Sequence, residues 1–106
     1  MKTSVINFVE VFTDCPGGRL RVNGDYSGEQ FREDVLKPAL TTHEKVTLNL
    51  TGAYGFPSSF IDEAFGVLVE HLGYDLVRSK LVIQIDDDPL ALKEIEEAML
   101  AHTKAK

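Results

Sequence analysis

Polar and apolar residues follow two different periods along this chain, and the switches between them mark its elements. Ser4 to Phe12 reads Ser-Val-Ile-Asn-Phe-Val-Glu-Val-Phe. It is β-branched and aromatic with polar residues interspersed, which predicts a first strand. Pro16-Gly17-Gly18 marks a turn. Arg19-Leu20-Arg21-Val22 alternates and predicts a short second strand, its two arginines facing water along a sheet edge. Ser27 and Gln30 stand at capping-box spacing and open a helix whose buried stripe is Phe31, Val35, Leu36, Ala39 and Leu40. Pro38 lacks the amide that would bond back to Asp34, so a kink or stop is expected there.

Val46-Thr47-Leu48-Asn49-Leu50 alternates cleanly and predicts a strand with Val46, Leu48 and Leu50 turned to the core. A loop with two glycines, Thr51 to Pro57, leads to a second helix beginning at Ser58-Ser59. Phe60, Ile61, Ala64, Phe65, Leu68, Val69 and Leu72 give that helix a broad apolar face, and Gly73 is placed to end it. Leu81 to Ile85 is nearly continuous apolar sequence, as in a strand covered on both faces. Asp88 then caps a third helix that starts at Pro89 and carries Leu92, Ile95, Ala98, Met99 and His102 along one side. The order is β-β-α-β-α-β-α. It predicts an α/β sandwich: a four- to five-stranded, mainly parallel or mixed sheet with about three helices packed on it. Leu48, Leu50, Phe65, Leu68, Val82 and Ile83 are expected together in one core.

At 106 residues and 43% hydrophobic composition, the chain has the size and apolar content of a single globular domain. We read residues 1–106 as that domain, with 101–106 as a frayed tail. The formal charge of −6 repels phosphate backbones, which disfavours nucleic-acid binding. No apolar run is long enough to span a bilayer. The N-terminal stretch meets Glu10 before a signal-peptide core can form. The single cysteine, Cys15, has no internal disulfide partner, which points to a reducing compartment, most simply the cytoplasm.

Catalytic spacing is mostly absent. Cys15 lies beside Asp14 in a turn sequence and is not read as a nucleophile. His43, His71 and His102 are scattered, so no zinc motif forms, and the phosphate-cradling glycine patterns are missing. We expect no cofactor, no metal and no catalytic residue. Ile83 to Leu90 looks like the opening of a response-regulator receiver, with acids that would hold magnesium. Pro89 to Lys106 is too short to supply the downstream strand-helix-strand unit, so that reading is rejected. Asp88 is a helix cap, and Asp86, Asp87 and Asp88 with Thr51 stay as candidate ligand or cation groups. Ser58 and Ser59 sit where a strand, a loop and a helix meet. Ser59 with Asp62 has capping-box spacing, so capping is one account of the pair, and a phosphorylation switch is the other.

The order of elements resembles the STAS fold, the anti-sigma-factor-antagonist type. The carrying segments are Gly24-Asp25-Tyr26-Ser27-Gly28-Glu29-Gln30-Phe31-Arg32-Glu33 and Ser58-Ser59-Phe60-Ile61-Asp62-Glu63-Ala64-Phe65-Gly66. The chain is similar to small bacterial STAS-like proteins. The resemblance implies a non-enzymatic regulatory module for protein interaction, which docks on an ATPase-fold serine kinase in a partner-switching pathway. Carried over by position, the phosphoacceptor is Ser58, with Ser59 beside it. The acidic residue that usually precedes the serine is Pro57 here, and the glycine after the pair is Phe60. The expected partner surface is Tyr54, Phe56 and Pro57 with Asp62 and Glu63. The alternative is a small-ligand sensor, for a nucleotide or lipid, at the C-terminal ends of the strands, where Thr51, Ser58, Ser59 and Asp86 to Asp88 supply polar groups.

Overall fold

The computed structural model describes residues 2–104. Three strands form one sheet in the order β1 (Thr3–Asn7), β2 (Lys45–Asn49), β3 (Leu81–Gln84), with both pairs parallel. Register aligns Ile6, Leu48 and Ile83, and Ser4, Val46 and Leu81, on one face. Both steps across the sheet go the same way, so right-handed crossovers bring the two long connecting helices to that same face. The other face carries Val5, Thr47 and Val82. It is open to water, with Val5 67% and Val82 44% exposed.

The expected first strand is shortened. After Asn7 the chain turns into α1 (Phe8–Val11), because Phe8 is drawn under the helices rather than along the sheet. The expected second strand at Arg19–Val22 does not form. Arg21–Asn23 is a 3-10 turn, closed by the Leu20 N–H donating to Asn23 Oδ1 at 3.0 Å. No neighbouring strand stands there. Instead Arg19 and Arg21 reach carboxylates, Asp62 at 2.5 Å and Asp34 at 2.7 Å. Among the described residues the sheet therefore has three strands rather than four or five.

The helix α2 spans 28–42, and α3 spans 58–72. Each contains a wide turn with i to i+5 bonding, Arg32–Leu36 in α2 and Asp62–Gly66 in α3. Ser27 caps α2 by accepting the Gln30 N–H at 3.1 Å, while the Gln30 side chain accepts the Tyr26 N–H at 3.1 Å. Pro38 does not stop the helix. The wide turn ends just before it, so the missing proline amide falls where the bonding pattern has already shifted. Gly28 lets the two helices touch: a Cβ there would lie 2.7 Å from the Phe60 carbonyl oxygen.

After Gly73 a further helix, α4 (Tyr74–Lys80), leads into β3; the periodicity reading left this stretch unassigned. The last helix, α5 (Pro89–Lys104), packs against α3. It continues through Ala101 to Lys104, where a frayed tail was expected; residues 105–106 lie outside the described ones. Leu48, Leu50, Phe65 and Leu68 are fully buried and Ile83 packs on them. Val82 is the exception. It points to the open face of an edge strand, so β3 is not covered on both sides. All six phenylalanines join one cluster around Phe8, whose ring lies 4.9 Å from Phe31 and 5.4 Å from Phe12.

Candidate functional site

The loop Thr51–Pro57 divides its two aromatic residues. Phe56 packs on Phe8 and Phe60, with ring centroids at 5.5 and 6.1 Å, and so anchors the loop to the core. Tyr54 points outward, 84% exposed. Pro57 is exposed and stands at the N-cap of α3, where no side chain caps the helix. Capping therefore does not account for the serines. Ser58 is the first helical residue and is exposed, and Ser59 is half-buried beside it. Among the described residues neither hydroxyl has a hydrogen-bond partner in the protein. Asp62, the expected capping partner of Ser59, is turned to other groups. A groove of about 460 Å³ opens on both serines and is lined by Arg19 and Asp62 and by Glu94 and Glu97 of α5.

The wide turn of α3 carries the polar contacts of this site. Asp62, Gly66 and Glu70 follow one another at intervals of four residues on one side of the helix. Gly66 leaves room for the His102 ring, which a Cβ at that position would overlap. His102 lies between the two acids: Nε2 is 2.6 Å from Asp62 Oδ1, and Nδ1 meets Glu70 Oε2. Both ring nitrogens face carboxylate oxygens, and only the doubly protonated imidazolium can donate to both. Burial pulls the His102 pKa down, but the bonds to Asp62 and Glu70 outweigh it and leave the pKa raised. Burial likewise works against the Asp62 carboxylate, and the hydrogen bonds from Arg19 and His102 overcome that and hold its pKa below the usual carboxylate range. The imidazolium ties the end of α5 to the middle of α3.

This contact has a pH signature. A group whose pKa is raised by folding stabilises the fold fully below its unfolded value, and that stability is lost as pH rises through the folded value. Stability is therefore expected to fall as pH rises above the ordinary histidine value of about 6.5, with a shallower fall in His102→Gln. Urea midpoints across that range check it. Parallel curves for the two proteins would show that His102 does not carry the contact.

The remaining expected site residues are placed differently. Glu63, expected on the partner surface, is buried. It accepts from Arg32 Nη1 at 2.7 Å, and Arg19 lies 3.6 Å away. A carboxylate so placed faces the α2–α3 seam rather than a partner. Of the candidate ligand groups, the side chains of Thr51, Asp87 and Asp88 are engaged in holding loops together, whereas Asp86 contributes its backbone N–H. Thr51 Oγ1 accepts the Asp86 N–H at 2.9 Å, Asp87 accepts the Gly52 N–H at 3.0 Å, and Asp88 accepts the Ala91 N–H at 3.2 Å as the cap of α5. The hollow next to Thr51 holds about 260 Å³, below the usual range for ligand pockets. Arg19, Arg32, Glu70, Glu94, Glu97 and His102 were not expected at the site. The spacing Asp62-Gly66-Glu70 was the one local signal that could have pointed to a side chain seated on α3.

No match was found among curated proteins or among solved structures. A family model described as a "STAS-like domain of unknown function (DUF4325)" matches residues 27–90. The matched span takes in α2, β2, the loop with Tyr54, all of α3, α4 and β3, and stops at the first turn of α5. Arg19 and His102, which close on Asp62, lie outside that span. With more than half of its length matched, a three-stranded parallel sheet and both long helices on one face, the chain belongs to the STAS-like domain family.

Proposed function

We propose that this STAS-like domain is a non-enzymatic, cytoplasmic regulatory module that docks a protein partner through the Tyr54–Pro57 loop and the first turn of α3. Phosphorylation of Ser58 weakens the docking. The partner is an ATPase-fold serine kinase or a protein that competes with one. The observation that carries this reading is the exposed Ser58 at an uncapped helix start, next to a tyrosine that projects into water. A phosphate at this helix end is welcomed by the free first-turn amides; Asp62 is already matched by Arg19 and His102, while Glu94 and Glu97 of α5 line the same groove and oppose it. Tyr54 is the anchor, since exposed aromatic residues dominate interface energies.

The test is capture of the tagged chain from a bacterial host, followed by binding of the purified partner to variants. Ser58→Asp is expected to weaken binding about tenfold or more, because it places a charge in the interface. It leaves stability unchanged or slightly raised. Ser58→Ala and Ser59→Ala are expected to cost less than about 0.5 kcal/mol in urea unfolding, since no cap is lost. If Ser58→Asp and Ser59→Asp both bind the partner as tightly as the parent, this helix end is not the switch.

A further inference from the structure

β3 is an edge strand: β2 pairs with it on one side, and on the other side half of its backbone N–H and C=O groups have no strand to meet. A groove of about 460 Å³ runs beside that edge, between β3, α4 and α5. It has the place of a fourth strand, because α5 follows β3 and lies against α3 rather than over the strand itself. Its walls are apolar and open to water. Val82 is 44% and Leu100 46% exposed, and Leu92, half-buried, lines the groove with them. Exposed edges with apolar flanks are the surfaces on which strands add.

The charges in the groove select the occupant. Arg78 stands on the α4 wall and Glu96 on the α5 wall, both exposed. The hydrogen bond of Arg78 goes to the Tyr74 hydroxyl at 3.4 Å, and among the described residues neither Arg78 nor Glu96 has a partner of opposite charge. One cation and one anion on facing walls of one groove make it self-complementary. A two-fold axis places each against its opposite on another copy.

We propose that this groove is a homodimer interface. The β3 strands of two copies pair antiparallel into a six-stranded sheet, and Arg78 of each copy meets Glu96 of the other. Val82 and Leu100 are covered in the process. The groove shares no lining residue with the one at Ser58, so dimerisation leaves the proposed switch accessible and stands independently of it.

Sedimentation velocity of the full chain over a wide concentration range tests this. The expected result is a reversible dimer. Arg78→Glu and Glu96→Arg are each expected to raise its dissociation constant about tenfold or more. The double variant restores it to within a few-fold, because the swapped charges again face their opposites. Val82→Lys, which puts a charge on the paired edge, is expected to abolish the dimer. All three positions are exposed, and an unchanged circular dichroism spectrum and melting temperature verify the fold. A chain that stays monomeric throughout overturns the proposal. So does a dimer that neither single reversal weakens, or one that the double variant fails to restore.

Discussion

Replacing Arg32 with methionine is expected to destabilise the fold by about 3 kcal/mol, at the low end of the cost of breaking a buried ion pair. Arg32 is only 5% exposed in the seam between α2 and α3. Its Nη1 donates to the Glu63 carbonyl and carboxylate, both at 2.7 Å, and its Nε donates to Glu33 at 2.8 Å. Methionine fills much of the space but leaves the Glu63 carboxylate in the seam without its main donor. Arg19 at 3.6 Å supplies part of the lost charge, which is why the low end is expected. Adding Glu63→Met to Arg32→Met is expected to recover most of the loss, since removing both partners avoids the unpaired charge. Urea unfolding of the two single variants and the double variant measures this. A loss under about 1 kcal/mol in Arg32→Met would show that water reaches the seam.

Phe8→Ala is expected to cost about 3–5 kcal/mol, a large part of the stability of a domain this size. Phe8 is fully buried and its ring touches Phe12, Phe31, Phe56 and Phe60. Phe8 and Phe60 are the two rings that each join α1, α2, the Tyr54 loop and α3. The cavity would loosen Phe56 and Phe60, which flank Pro57 and Ser58 in the chain. Amide exchange over 54–61 is therefore expected to speed up more than exchange in β2, which lies behind the cavity. Equal changes in both regions would show that Phe8 supports the core at large rather than the loop. Phe65→Ala, whose ring meets Phe31 at 6.3 Å, is expected to fall in the same range without the local effect on the loop.

The two long helices were legible because each buries a wide stripe. Phe31, Leu36 and Leu40 in α2, and Phe60, Ile61, Ala64, Phe65, Leu68 and Val69 in α3, recur at helical spacing and are all buried. The caps at Ser27 and Asp88 were legible for a related reason. A cap is a contact across three residues, so its partners lie within the local pattern. Parallel pairing of the strands followed from the helices between them.

Where the reading failed, the deciding partner was distant in sequence. Arg19–Val22 has strand-like alternation, but a strand requires a neighbour. Arg19 instead found Asp62 across 43 residues. Val82 looks like core in a run of apolar residues and lies on an open edge, because strand order is a property of the assembled sheet. His102 resembled one more apolar-face position of α5. Its two acids are 40 and 32 residues away, and the room for its ring comes from the absence of a Cβ at Gly66. Local periodicity and short-range capping chose the helices, the parallel pairing and the position of Ser58. Packing chose the number of strands, the inward turn of Glu63 and the seat of His102, because buried charges and sheet edges take their energies from groups that only the fold brings near.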